Sequence, residues 1–217
     1  MEPLQILSEH VHQVFESRNQ ARDRALAQAR QLTRHAAQSI RAIHRGESDT
    51  AHQHLNEAAK IVTCLREELA IFPDLYYAGY TQDAIKEFAE ANLTCALIEN
   101  RALPMPEELG VEYATYLNGM AEVPGELRRR CLDILRSGYS AEAERLLGWM
   151  DEIYSLMITV DYPDAVTNGL RRQTDLLRGI VERTRADLTL SQREDRLHSA
   201  MQSLAAQLAD HAGHQSL

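Results

Sequence analysis

Residues 4–45 read LQILSEHVHQVFESRNQARDRALAQARQLTRHAAQSIRAIHR, a stretch of 42 residues without glycine or proline. Apolar side chains recur along this stretch at helical spacing, as at Val11, Phe15, Leu32 and Ile43. At about 1.5 Å of rise per residue, the helix would be roughly 60 Å long, which is more than a compact domain of this size requires. We therefore expect an all-α fold whose first helix packs against another subunit as well as against its own.

The rest of the chain supports this fold class, because its 217 residues include only 10 glycines and 6 prolines. Such scarcity favours long helices over the frequent turns of a β protein. We expect one helical domain over residues 1–190, whose last helix ends near Asp187. Residues 191–217 are predicted to form an amphipathic C-terminal extension, which Ser191 could cap and which carries Leu197, Met201, Leu204 and Leu208 at helical spacing.

Three features of the sequence indicate a cytoplasmic protein. No stretch of eighteen consecutive apolar residues occurs, so we expect no membrane partner. The first residues, Met1-Glu2-Pro3, lack the basic and apolar regions of an export signal. The odd number and wide separation of Cys64, Cys95 and Cys131 are typical of reduced thiols in a core.

Charge is unevenly distributed along the chain, whose net charge is −9. Residues 18–45 contain seven arginines against a single acid, Asp23. Arginine suits bidentate contacts to phosphate, so the segment is a candidate nucleic-acid interface, although a compositional preference for arginine explains it equally well. The candidate nucleic-acid-binding residues are Arg18, Arg22, Arg30, Arg34, Arg41 and Arg129.

Two pairs of carboxylates are candidates for metal chemistry. Glu87 and Glu90 are three residues apart, and Glu122 and Glu126 are four apart, so each pair lies on one face of a helix. Arginine partners or solvent explain such pairs as well on spacing alone. Four carboxylates from two helices would also suit Mg²⁺ or Mn²⁺, and two such ions can activate water and stabilise the leaving oxygen of a phosphodiester.

Other catalytic patterns are weaker or missing. The sequence has no glycine-rich phosphate loop, no Gly-x-Ser-x-Gly and no Cys-x-x-Cys. Its nine histidines are dispersed, several of them on the polar faces of the first two helices. We expect the histidines to be solvated.

Three stretches resemble the translin family, and in particular its translin-associated factor X branch. They are the arginine-rich residues 22–45, Lys86-Glu-Phe-Ala-Glu-Ala91 and Tyr116-Leu-Asn-Gly-Met-Ala-Glu-Val-Pro-Gly-Glu-Leu127. Weaker similarity around residues 171–187 extends the resemblance to about residue 190. The order and spacing of these stretches over most of the chain make the match fairly specific.

The resemblance implies a seven-helix fold that assembles into a barrel-like octamer enclosing nucleic acid. It also implies a Mg²⁺-dependent endoribonuclease centre formed by Glu87, Glu90, Glu122 and Glu126. Metal-activated water would attack the phosphodiester of RNA and leave a 5′-phosphate and a 3′-hydroxyl. Translin itself keeps acids similar to the second pair but lacks the first, so Glu87 and Glu90 place the chain with the catalytic branch.

Two departures from the family pattern bear on the metal geometry. Position 122 is glutamate where the branch usually has aspartate, and Pro124 stands between the second pair. The competing hypothesis is a non-catalytic, translin-like protein that binds single-stranded RNA or DNA. For either function we expect a homo-octamer, with a separate translin-like partner as the alternative.

Overall fold

The computed structural model of the chain describes residues 2–214, including every side chain of that range except those of residues 210 and 212–214. Six long helices form the fold: α1 (Glu2–His44), α2 (Ser48–Glu68), α4 (Gly79–Ile98), α6 (Tyr113–Leu135), α7 (Ala141–Met157) and α9 (Leu170–His214). Three single-turn helices lie between them: α3 (Pro73–Tyr76), α5 (Pro106–Leu109) and α8 (Asp164–Thr167). No strand occurs within residues 2–214, and the all-α prediction is confirmed.

Each single-turn helix begins at or directly after a proline, at Pro73, Pro106 and Pro163. Proline has no N–H and a fixed φ, so it fits the first turn of a helix but cannot continue one that precedes it. The prolines therefore divide the connections between long helices into short helical turns.

Four of the long helices run in the same direction. These are α1, α4, α6 and α9. Two contacts join each neighbouring pair, counting α3 with α4 and α8 with α9, and the contact later in one partner is also later in the other, as expected for parallel helices. The pairs are Arg18–Asp74 and Ser39–Cys95, Gln82–Thr115 and Lys86–Glu122, and Asn118–Thr167 and Arg128–Asp187. Helices α2 and α7 return the chain in the opposite direction. The pairs Gln28–Cys64 and His35–His54 indicate this for α2 against α1, and the pairs Arg171–Asp161 and Arg185–Asp151 indicate it for the end of α7 against α9.

Helix α1 is covered by its own chain over only part of its length. Its buried face is rich in alanine, with Ala21, Ala25, Ala29 and Ala36 all inaccessible, and these small side chains let α2 and α4 pack closely. Residues 2–20 are exposed without exception, including Phe15, which is 65% exposed. The predicted long first helix is confirmed, and its first half projects from the bundle.

Helix α4 lies at the centre of the core, packed between α1 and α6. Ile85, Phe88, Leu93 and Leu97 are all fully buried on it. A helix with apolar residues on every side is expected in the interior. Polar side chains on α4 therefore enter a poorly solvated environment.

Gly119 sets how closely α6 approaches α4. A Cβ atom at this position would lie 2.7 Å from the carbonyl oxygen of Lys86 and 3.1 Å from the backbone nitrogen of Glu90. Only glycine permits such close contact between two backbones. The crossing places Glu122, one helical turn after Gly119, beside the acids of α4. Helix α6 continues unbroken through Pro124.

Helix α9 differs from the sequence-based expectation. The predicted end near Asp187 is wrong, since one helix runs from Leu170 to His214. Residues 180–212 contain neither glycine nor proline, and an internal Ser191 is not sufficient to end a helix. Burial stops sooner, because Leu188 is 1% exposed and Leu197 is 62% exposed. The division into a domain and an extension stays a prediction, and residues 1 and 215–217 lie outside the described range.

The three cysteines are free thiols, buried at Cys95 and Cys131 and partly buried at Cys64. Within the described residues, no helix combines the length and the apolar character that crossing a membrane requires.

Candidate metal centre

Three of the four predicted carboxylates converge between α4 and α6. One potential ligand atom from each of Glu87, Glu90 and Glu122 lies within 4.8 Å of the others. Glu90 is the most enclosed of the three, at 7% exposure. The three-residue spacing on α4 and the crossing at Gly119 bring the group together. These three residues are called the carboxylate cluster below.

Burial and mutual repulsion perturb the acids of the cluster. The pKa of Glu90 is raised from 4.5 to about 8, first by desolvation and then by the charges of Glu122, Glu87 and Glu126. Desolvation also raises the pKa of Glu87. In the absence of a metal ion, Glu90 therefore holds its proton at neutral pH.

Lys86 supplies a cation to the cluster that the sequence analysis did not single out. Its Nζ lies 2.7 Å from Glu122 and 3.8 Å from Glu87. Burial alone would lower the pKa of Lys86, but the hydrogen bond to Glu122 and the surrounding carboxylates raise it. One lysine thus balances part of the charge of three acids.

Glu126, the fourth predicted ligand, is not part of this group of three. Its Oε2 accepts a hydrogen bond from His44 Nε2 at 2.6 Å and lies 3.7 Å from an Nη1 atom of Arg129. The hydrogen bond from His44 lowers the pKa of Glu126 despite its partial burial. Three of the predicted ligands therefore converge, while the fourth, Glu126, is held by His44 and its charge still reaches Glu90. The assignment of all four as metal ligands stays a prediction.

His44 contradicts the prediction that the histidines are solvated, because its side chain is 3% exposed. It lies in the last turn of α1, directly after the buried Ile43. In the sequence, the position of His44 next to the apolar stripe of α1 could have indicated its burial, although His44 belongs to no motif. His52 is also paired, with its Nε2 2.9 Å from Glu99.

The six candidate arginines are all exposed, but they fall into two groups. Arg18, Arg22 and Arg129 pair with Asp74, Asp23 and Glu126, respectively. Arg30, Arg34 and Arg41 share a face of α1 by their helical spacing and form no ion pair with any carboxylate whose side chain is described. We call these three residues the arginine stripe. Arg41 lies one turn before His44, so the stripe ends beside the metal centre.

Comparison with known proteins identifies relatives in both sequence and fold. No family model matches the chain. An uncharacterized protein of Methanocaldococcus jannaschii is 33% identical over 174 residues, which span 79% of this chain and 77% of the relative.

Among solved structures, the complex of AfC3PO with duplex RNA has a TM-score of 0.80 and 32% identity, covering 86% of this chain and 96% of that chain. A crystal structure of AfC3PO gives 0.79 at 32% identity, with coverages of 86% and 97%. The apo form of NeC3PO gives 0.75 at 21% identity over 88% and 98% of the two chains, which shows the shared fold. Since helix order, fold and sequence agree over most of its length, the chain belongs to the translin family, which includes the C3PO proteins.

Proposed function

We propose that this chain is a divalent-metal-dependent endoribonuclease whose centre is the carboxylate cluster with Glu126 beside it. The observation that carries the proposal is the convergence of three glutamates within 4.8 Å around a side chain as buried as Glu90. Carboxylate oxygens are the donors that Mg²⁺ and Mn²⁺ prefer. Lys86 offsets only part of their charge, so the donor set fits a divalent cation.

A bound divalent ion would supply the activation of water and the stabilisation of the leaving oxygen that phosphodiester hydrolysis needs. The chain's own residues account for the rest of the site. Glu87, Glu90 and Glu122 would hold the ion, with Glu126 as a fourth oxygen donor. Lys86, which is 21% exposed, lies at the edge of the cluster, where an ammonium group can pair with a phosphate.

RNA as the substrate is supported by the related AfC3PO, which was solved with duplex RNA, and by the arginine stripe of this chain. Guanidinium groups bind phosphates through paired hydrogen bonds, and arginines free of carboxylate partners are available for this role. Single-stranded and duplex RNA must both be tested as substrates.

The test is cleavage of end-labelled single-stranded and duplex RNA by the purified full chain with Mg²⁺, with Mn²⁺ and with EDTA. We expect cleavage with either metal, none with EDTA, and products ending in 5′-phosphate and 3′-hydroxyl. Glu90→Gln should abolish cleavage and leave RNA binding intact, because it removes a metal ligand while the carboxyl of the metal-free site is already neutral. Glu57→Gln is the matched control on an exposed surface, and it should cleave normally. Cleavage that persists in EDTA would overturn the proposal.

A second candidate function, binding of RNA or single-stranded DNA without catalysis, is favoured by the contact of Lys86 with Glu122. Together with a protonated Glu90, this ion pair offsets much of the charge of the cluster without a metal. The non-catalytic protein would bind RNA with an affinity that falls steeply with salt and would cleave nothing under any metal. The cleavage assay with Mg²⁺, with Mn²⁺ and with EDTA separates the two candidates.

We also propose that the protein forms a homo-octamer, with a translin-like partner chain as the alternative. The exposed apolar residues of the projecting half of α1, including Leu4 at 73% and Leu7 at 57% exposure, support burial in an assembly. Light scattering after size exclusion should give a mass near eight times 24.6 kDa. A monomer at micromolar concentration would contradict an enclosed site. The cytoplasmic location stays a prediction.

A further inference from the structure

We propose that His44 is a positioning residue of the metal centre, which holds one oxygen of Glu126 so that the other is presented to an ion at the carboxylate cluster. This inference rests on the proposed function. It assigns a role to a residue of α1, the helix that also carries the arginine stripe, in a site otherwise built from α4 and α6.

The contact between the two side chains is short and enclosed. His44 Nε2 lies 2.6 Å from Glu126 Oε2, and the histidine side chain is 3% exposed while that of Glu126 is 26% exposed. An ionised carboxylate can only accept hydrogen bonds, so Nε2 carries the hydrogen of this bond. Because the His44 side chain is buried, packing fixes its imidazole ring. The hydrogen bond from this fixed ring can then orient the more exposed carboxylate of Glu126.

The other ring nitrogen of His44 argues against a purely structural role. Nδ1 is buried and has no hydrogen-bond partner among the described residues. An unsatisfied buried polar atom lowers stability, and a leucine would fill the same space without that cost. A histidine is useful here only if its Nε2 contact with Glu126 matters.

The contacts of Glu126 also separate its two oxygens. Both His44 Nε2 and Arg129 Nη1 lie nearest to Oε2, at 2.6 and 3.7 Å. Within the described residues, the hydrogen bond from His44 reaches only Oε2, so Oε1 keeps its capacity to act as a metal ligand. Hydrogen bonds from residues behind a ligand commonly fix its orientation, and losing such a partner typically weakens metal binding 10- to 100-fold.

The experiment is calorimetric titration of the RNA-free full chain with Mn²⁺ at one fixed pH, comparing the wild type with His44→Leu and His44→Gln. His44→Leu keeps an apolar side chain in the space but removes the donor, and we expect its Mn²⁺ affinity to fall by about 10- to 100-fold. His44→Gln keeps an N–H donor and should recover most of that loss. Far-ultraviolet circular dichroism establishes that each variant is folded.

The matched control is His52→Leu, which breaks a similar bond from Nε2 to Glu99 at 2.9 Å outside the carboxylate cluster. It should bind Mn²⁺ like the wild type. The inference is overturned if His44→Leu also binds like the wild type, or if His44→Gln is as weak as His44→Leu, since packing alone would then explain the effect. A wild type that binds Mn²⁺ but never cleaves RNA would refute the nuclease while the His44 comparison still stands, and one that binds no Mn²⁺ would overturn both.

Discussion

Replacing Gly119 with alanine tests whether the close crossing of α4 and α6 determines the geometry of the metal centre. The new Cβ would lie 2.7 Å from the Lys86 carbonyl oxygen, against 3.4 Å or more in ordinary contacts. The two backbones must then separate by roughly 0.7 Å, and overpacking of this kind costs about 1–3 kcal/mol. For a chain of this size, that corresponds to a Tm about 2–12 °C below that of a glycine-to-alanine variant without the clash.

The control is Gly148→Ala in the middle of α7, where an added Cβ meets nothing within 4 Å. Each substitution also stabilises its helix by about 0.5–1 kcal/mol, because alanine replaces a helical glycine. This effect cancels when the two variants are compared, so the difference between their free energies of unfolding reports the crossing alone. Urea unfolding of the two variants in EDTA measures this difference. Equal stabilities would refute the close contact.

The same substitution should weaken metal binding, since Glu122 moves with α6. Metal–ligand distances are typically within about 0.2 Å of their ideal values, and the expected separation is several times larger. Mn²⁺ titration of Gly119→Ala should show reduced affinity, whereas Gly148→Ala should match the wild type. Unchanged affinity in both variants would show that the crossing does not control the cluster.

Three further predictions follow from the described contacts. Because the pKa of Glu90 is raised to about 8, the metal-free folded state binds more protons than the unfolded state between pH 5 and 8, so stability falls as pH rises. Glu90→Gln should make this decrease in the free energy of unfolding smaller by about 3 kcal/mol. Urea unfolding in EDTA at both pH values measures the decrease for the wild type and the variant. Arg34→Gln should weaken RNA binding and reduce the slope of log affinity against log salt by about one, as measured by fluorescence anisotropy. Ser140 accepts a hydrogen bond from the backbone nitrogen of Glu142 at 3.2 Å, so Ser140→Ala should lower stability by about 1 kcal/mol in thermal unfolding.

Patterns within one helix were readable from the sequence. The lack of breakers between residues 4 and 45 predicted α1, because a continuous helix needs no information from its neighbours. The spacing of Glu87 and Glu90 placed both on one face of α4 for the same reason. Their assignment to a metal centre depended on the family resemblance, since spacing alone favoured ordinary ion pairs or solvated side chains over a metal site.

Contacts between helices were not readable in this way. The pairing of His44 with Glu126 joins residues 82 positions apart, and the pairing of Lys86 with Glu122 depends on the crossing at Gly119. Neither pair follows a periodic pattern in the sequence. The wrong end of α9 has a different origin: a polar residue such as Ser191 can begin a helix but does not by itself stop one.

The parallel course of α1 and α9 has a practical consequence for experiments on this protein. Helices α1 and α9 run in the same direction, and both the start of α1 and the end of α9 lie outside the bundle. Glu2 and His214 are therefore at opposite ends of the molecule. With residues 2–20 and 189–214 added to the buried length of α1, the ends are separated by about 100 Å if the helices are straight. Affinity tags at either end therefore lie far from Glu90, and dyes placed at both ends of one chain are too distant for efficient energy transfer. Any strong transfer between end labels then reports contact between neighbouring copies.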